Sequence, residues 1–238
     1  MKTFGLVLFL FLLVNTSFGQ GWYWEGITNG VNTKNYAMPK MLKSVEGTKE
    51  ENIIRFDKKH IITINHSKKT YTVMTFEELE KMLKGANSAM AEMAEQLKNM
   101  PEEQRKMVEE MMKKNLPSGE EKNDYHVQKT KDVETISGYK CVKYVVTKDK
   151  EEYLTIWATT DIKGIESLKN DMTEYYQKIE SLTPQFGKAI SEGMKSVEGF
   201  PIKTVGMKYS SLVTKVEKHN SAPSEFEVPK GYTKVKAD

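Results

Sequence analysis

The order of its periodic segments predicts that this chain folds as α+β on an antiparallel sheet. Strand-like runs come first, a long helical stripe follows, strands return, a second helical stretch intervenes, and two strands close the chain. That succession sets helices against an antiparallel sheet, not between the strands of a parallel wound one. Two further observations agree. The apolar period switches abruptly from two to 3.6 at Thr75, and turn signals such as Asn29-Gly30 punctuate the short apolar runs.

The first 19 residues stand apart. Lys2 gives a positive start, Phe4 to Val14 form an apolar run, and Ser17-Phe18-Gly19 supplies small residues before a cut. This is the layout of a secretory signal peptide, and the run is too short to span a bilayer. Cleavage is expected between Gly19 and Gln20. No cysteine follows that bond, so the expected product carries no lipoprotein anchor and no stable membrane anchor, and is exported to the periplasm or secreted. Residues 20–238 are then expected to form a single α+β domain, with a helical insertion at 76–115 and a second helical segment at 161–195.

Gly21 to Thr28, rich in aromatic residues, reads as the first strand. Ile53 to Phe56, His60 to Ile64 and Thr70 to Met74 follow as a meander. With a period of two, Ile54 and Phe56, Ile62 and Ile64, and Tyr71 and Val73 are expected to share one face. From Thr75 the stripe Phe76, Leu79, Leu83, Ala86, Met90, Met93, Leu97, Met100 advances by threes and fours. Thr75 and Glu78 make a capping box at its start. Pro101-Glu102-Glu103 restarts a helix that runs to about Asn115 and stops at Leu116-Pro117-Ser118-Gly119. Strands are expected again at Val127 to Ile136, Tyr139 to Thr147 and Glu152 to Thr159. Asp161 to Lys195 is helical in character with a break near Thr183-Pro184. Lys203 to Tyr209 and Ser211 to Lys218 are the last strands before an irregular tail.

Thirty-six Lys and Arg against 33 Asp and Glu give a net charge of +3, and loss of Lys2 with the signal makes it +2. The signs alternate along the chain, which is the pattern of a solvated surface and not of a phosphate-binding stripe. Nucleic acid is not an expected partner. One cysteine, Cys141, cannot form an internal disulfide, and its strand context reads as a buried thiol.

Signatures of catalysis are missing from the sequence. There is no Gly-x-Ser-x-Gly elbow, no Ser-x-x-Lys and no phosphate loop. His60, His66, His126 and His219 are isolated, without metal-ligand spacing, so no metal and no cofactor is expected and the chain reads as non-catalytic. Met82, Met90, Met93, Met100, Met107, Met111 and Met112 crowd one helical stretch. Soft thioethers suit copper(I), but no His or Cys joins them. Packing explains those on the stripe, and Met side chains also suit a surface that accepts apolar ligands of variable shape. Trp22, Tyr23, Trp24, Tyr139 and Trp157 either line a cavity or fill a core.

Several local patterns combine into a resemblance. They are Lys69-Thr70-Tyr71, Gly138-Tyr139-Lys140-Cys141 with Tyr144, the strand ending at Trp157, Gly199-Phe200-Pro201, and Phe226-x-Val228-Pro229-x-Gly231-Tyr232. In this order they resemble an exported bacterial family known only as a domain of unknown function (DUF4412-like). That family is distantly similar to the periplasmic lipoprotein carriers and receptors LolA and LolB. The resemblance implies a curled antiparallel sheet, a half-open barrel, with helices packed on the concave side or at the mouth. It implies a carrier or sensor of a hydrophobic or lipid ligand, with Phe76–Met112 as lid. Trp24, Phe56, Ile62, Ile64, Phe76, Leu83, Met90, Met93 and Trp157 are the expected ligand-lining residues. The other reading is a structural or interaction module with a closed core, which meets a protein partner or its own copy through the Met-rich helix.

Overall fold

The computed structural model describes residues 19–115, 125–173, 195–206 and 209–236. The signal segment before Gly19, the stop at Leu116-Pro117-Ser118-Gly119 and the break near Thr183-Pro184 lie outside the described residues. A meander of six strands opens the chain: β1 (Gly19–Thr28), β2 (Val31–Met38), β3 (Met41–Glu46), β4 (Glu50–Arg55), β5 (His60–Asn65) and β6 (Thr70–Thr75). Helices α1 (Phe76–Lys98) and α2 (Glu102–Asn115) lead to β7 (Tyr125–Ile136), β8 (Tyr139–Lys148) and β9 (Glu151–Thr159). Residues 166–173 are helical and are called α3. Then come β10 (Phe200–Gly206), β11 (Ser210–Ser221), a 3-10 turn at Pro223–Phe226 and β12 (Thr233–Lys234).

All twelve strands belong to one sheet, ordered β12-β6-β5-β4-β3-β2-β1-β11-β10-β9-β8-β7. Every neighbouring pair is antiparallel except β12 with β6, which is parallel. β12 and β7 end the order, so the sheet is unclosed and the fold is α+β. The insertion α1–α2 joins β6, near one end of the sheet, to β7 at the other.

The sheet is curled, and its seam shows how. β10 and β11 pair only over Lys203–Val205 against Ser210–Leu212. Beyond that point the hairpin between β7 and β8 reaches back to β11. Ser137 Oγ donates to the Val213 carbonyl at 2.7 Å, and the Tyr139 hydroxyl donates to the Val216 carbonyl at 3.3 Å. Three strand spacings separate β8 from β11, which in a flat sheet would be about 14 Å. Ile136, Cys141, Ile202 and Val213 fill the wedge, with Trp24 and Trp157 packed against them.

Register assigns the faces of the first half of the sheet. Trp22, Ala37, Leu42 and Ile54 are cross-strand neighbours, and so are Tyr23, Tyr36, Lys43, Ile53, Ile62 and Val73 on the opposite side. Both faces are covered. Ile165 and Leu168 of the α3 segment pack on Ala37, Trp22, Trp24 and Leu42. Phe226, fully buried, packs on Ile53, Ile62 and Ile64 from the other side. β1 runs close to its neighbours: a Cβ on Gly21 would stand 2.1 Å from the Ala37 carbonyl oxygen, and one on Gly26 2.1 Å from that of Leu212.

The structure corrects the sequence reading in four places. Ile54 faces away from Ile62 and Val73: Ile53 pairs with Ile62, and Ile54 with Leu42 and Ile61, because of two adjacent isoleucines only one can point toward Phe226. Residues 31–46 form β2 and β3, which the sequence did not reveal because the strand Val-Asn-Thr-Lys-Asn-Tyr-Ala-Met is largely polar. Its inward positions are small, and Ala37 is fully buried because the β1 backbone comes so near. β10 begins at Phe200 and not Lys203, since a bulge between Pro201 and Lys203 breaks its period. The tail is not irregular. Its last strand pairs with β6, with Thr233 N–H on Lys69 O at 3.0 Å and Val235 N–H on Tyr71 O at 2.9 Å.

Polar contacts latch the tail. Arg55, with its side chain 4% exposed, donates to both Asp57 carboxylate oxygens at 2.7 and 2.8 Å, to Glu227 and to the Phe226 carbonyl. Lys58 Nζ reaches Glu227 at 2.8 Å. Tyr232 and Glu51 flank His66 at 2.9 and 3.3 Å. Hydrogen bonding from Arg55 holds the Asp57 carboxyl below its usual range. Burial opposes the same shift at Glu227, where Lys58 and Arg55 prevail.

Two outcomes follow for stability. Phe226→Ala empties the largest fully buried side chain among the described residues and is expected to cost about 3–5 kcal/mol by urea denaturation. Both latch carboxylates have lowered native pKa values, so their contribution is complete above the ordinary carboxylate range and fades as pH falls toward the native values. The urea midpoint is expected to fall between pH 6 and pH 3, and to fall less in Arg55→Met; equal slopes would assign the acid response elsewhere.

Candidate functional site

Of the nine expected ligand-lining residues, the eight whose side chains are described do not converge on one cavity. Trp24 and Trp157 share the wedge between β8 and β11, where the Trp24 ring stands edge-on to Phe200 at 5.7 Å. Ile62 and Ile64 lie on the opposite face, sealed beneath Phe226. Phe56 and Phe76 meet edge-on at 6.5 Å where α1 leaves the sheet. Leu83 is half-buried farther along α1, Met93 is 44% exposed, and the side chain of Met90 lies outside the described residues. The capping box forms as expected: Glu78 N–H donates to Thr75 Oγ1 at 3.0 Å, and Thr75 N–H to Glu78 at 2.7 Å. Along the helices that follow, Phe76 and Leu97 are buried, whereas Met82 and Met107 stay 52% and 66% exposed.

Space is found instead on the two flanks of α3. On one side a cleft of about 210 Å³ lies between α3 and the start of β1, with Trp22, Ala37 and Leu168 among its walls and Gln20, Asp171 and Lys218 at its mouth. Asp171 ties the helix to the β2–β3 turn. Its oxygens accept from Lys40 Nζ at 2.8 Å and from the Lys40 backbone N–H at 2.9 Å. Trp22 Nε1 donates to the Gly164 carbonyl at 3.3 Å and ties the entrance of the same segment. On the other side a cleft of about 560 Å³ is lined by Ile162, Ile165, Lys169, Thr173, Lys195 and Gly199, among others. Gly199 can sit there because it has φ +84° and passes so close to the Thr159 carbonyl that a Cβ would stand 2.0 Å from its oxygen.

Sequence reasoning expected a helical segment over 161–195 but named none of its residues as ligand-lining, although one signal was present. Ile162, Ile165, Leu168 and Met172 recur by three, three and four. That is the apolar stripe of a helix pressed on something apolar, and Ile165 and Leu168 are the buried part of it.

Burial shifts several ionisable groups away from their ordinary values. Burial, then a 2.7 Å hydrogen bond to Glu25, raises the Tyr23 phenol well above its ordinary value. Burial pushes Tyr125 up to about 12. Burial lowers His60, whose buried Nε2 has no hydrogen-bond partner. Among the described residues no three His, Cys, Asp or Glu side chains come together as metal ligands, and no helix is long and apolar enough to cross a membrane.

Cys141 is fully buried, its thiol donates to the Tyr139 carbonyl at 3.4 Å, and burial raises its pKa. A thiol without thiolate character does not act as a nucleophile. Cys141 is therefore expected to resist maleimide in the native protein and to react fully in 6 M guanidinium; rapid native labelling would show that the wedge opens.

The sequence matches no curated protein. Among solved structures, an uncharacterized conserved protein from Thermus thermophilus is similar at 7% identity, over 91% of this chain and 90% of its own, with a TM-score of 0.46. The family model described as a domain of unknown function (DUF4412) matches residues 89–232. The chain belongs to that family.

Proposed function

We propose that this protein is an exported, non-catalytic carrier or sensor of a hydrophobic or lipid ligand, with a LolA-like half-open barrel whose gate is α3. The observation that supports the reading most directly is that α3 covers the apolar surface of Trp22, Trp24, Ala37 and Leu42 and has a cleft on each flank. Displacing this one segment opens a continuous apolar trough without unfolding the sheet. Each buried methylene of an acyl chain contributes about 0.8 kcal/mol, so a trough of modest length binds usefully without polar recognition. The apolar surface of Trp22, Trp24, Ala37 and Leu42 lies under α3, so this reading takes α3 as the cover and not Phe76–Met112.

The polar tie from Asp171 to Lys40 sets how readily the gate moves. Lys40 is half exposed, so the tie is worth at most about 1 kcal/mol. Asp171→Ala is expected to speed uptake of a fluorescent fatty acid about fivefold or less with the melting curve nearly unchanged. Mass spectrometry on protein purified without detergent decides the reading itself: co-purified or stoichiometrically acquired acyl ligand supports it. A clean apo mass with no uptake of fatty acid or phospholipid overturns it.

A second reading has its own observation. Met82, Met93, Met100 and Met107 leave an apolar surface on α1–α2 that the sheet does not cover. An interaction module would use it on a partner helix or on its own copy. Light scattering after size exclusion is then expected to show a dimer that Met93→Glu with Met107→Glu converts to monomer; a monomer at all concentrations would remove self-association.

A further inference from the structure

We propose that the larger cleft beside α3 seats the anionic head group of a long-chain amphiphile, and that Lys169 is the residue that takes its charge. This inference rests on the carrier reading and narrows it to a ligand class. The cleft has the composition of such a seat. Ile162 and Ile165 give it an apolar floor, and Lys163, Lys169 and Lys195 stand around it against one carboxylate, Glu166. Its volume of about 560 Å³ lies within the range of small-molecule sites, about 300–1,000 Å³.

Lys169 differs from the other two lysines in its position. It follows Ile165 by one helical turn, so one helix edge passes from buried apolar contact to a half-buried ammonium. The ammonium donates to the Val197 carbonyl, one of the three hydrogen bonds it can make. Among the described residues no carboxylate pairs with it: Glu198 is taken by Lys129 at 2.7 Å. Lys163 Nζ is occupied by the Thr160 carbonyl at 2.9 Å. Burial accordingly lowers the Lys169 pKa, and the attraction of Glu198 offsets this only in part. A half-buried cation that no carboxylate among the described residues pairs with directly favours an anion brought from outside, and the isoleucine floor favours one that carries an alkyl chain. A free inorganic anion would gain nothing from that floor.

The test compares ligands that differ only in the head group, titrated into the full mature chain by calorimetry. Palmitate and a single-chain palmitoyl lysophospholipid bearing phosphate are the two anionic amphiphiles, hexadecanol is the uncharged control, and inorganic phosphate lacks the chain. The expected result is binding of at least one anionic amphiphile tenfold or more tighter than hexadecanol, with inorganic phosphate silent. Lys169→Met is expected to erase that tenfold preference while leaving hexadecanol affinity unchanged, and Lys169→Arg to retain it. Unchanged hexadecanol binding also reports that the Met variant is folded. Which of the two anionic arms binds tighter names the head group.

Equal binding of palmitate, the lysophospholipid and hexadecanol would overturn the head-group seat and leave the carrier reading standing. The same follows if Lys169→Met keeps the preference. Binding of inorganic phosphate alone would overturn the amphiphile class, and binding of none of the four would overturn both the seat and the carrier.

Discussion

The short pairing of β10 with β11 is the constraint on which the rest of the architecture depends. Three residues on each strand join the block from β12 to β11 to the block from β10 to β7. A sheet hinged at so short a ladder would splay if nothing filled the gap. The β7–β8 hairpin fills it, placing Ile136 and Cys141 against Ile202 and Val213 and giving hydroxyl donors to the carbonyls of Val213 and Val216. Those carbonyls lie beyond the stretch of β11 that pairs with β10, and unpaired buried carbonyls would carry a penalty. Filling the wedge thus satisfies β11 and fixes the curl together. It also brings Trp24 and Phe200 into edge contact and so shapes the apolar surface that α3 covers.

The same sheet has a second surface, and chain order explains why it is not available to a ligand. The tail leaves β11 beside β1, crosses the face of β3 to β5 with Phe226, and adds β12 to β6. Its apolar contact is reinforced by a buried guanidinium that needs Asp57 and Glu227 to be tolerated there. Ile62 and Ile64, the most strand-like apolar pair in the sequence, are therefore spent on structural closure. The other face is covered instead by α3, which polar contacts from Lys40 and Trp22 tie to the sheet.

How far the sequence could be read follows from the same division. β5 and β6 were legible because Ile62 and Ile64 flank Thr63, and Tyr71 and Val73 flank Thr72, whereas the face of β4 was not, because Ile53 and Ile54 are adjacent and both apolar. The start of α1 was legible because the Thr75–Glu78 box is a local device that depends on nothing distant. β2 was not, because its burial comes from the approach of Gly21 and from α3, both remote in sequence from its polar residues. The candidate site was illegible for a related reason. A helical stripe such as Phe76, Leu79, Leu83 reports that a helix has an apolar side, not which surface meets it. Equally spaced stripes in α1 and α3 thus met different fates: Met93 stays exposed, and Leu168 is buried on the sheet.

The extent of the family match sharpens the point. It begins at residue 89, within α1, and so leaves the six-strand meander before it. Yet β11, inside the match, has β1 as its partner along nearly its whole length, from Gly19 with Ser221 to Thr28 with Ser211. Against β10 it has only three pairs. Severed from the meander, β11 would present a long open edge, and α3 would lose Trp22, Ala37 and Leu42 beneath it. The matched stretch therefore holds α3 and the lysine-rimmed cleft, while the preceding strands supply the floor on which α3 rests. α3 and the surface it covers thus belong to different parts of the chain, and neither is buried without the other.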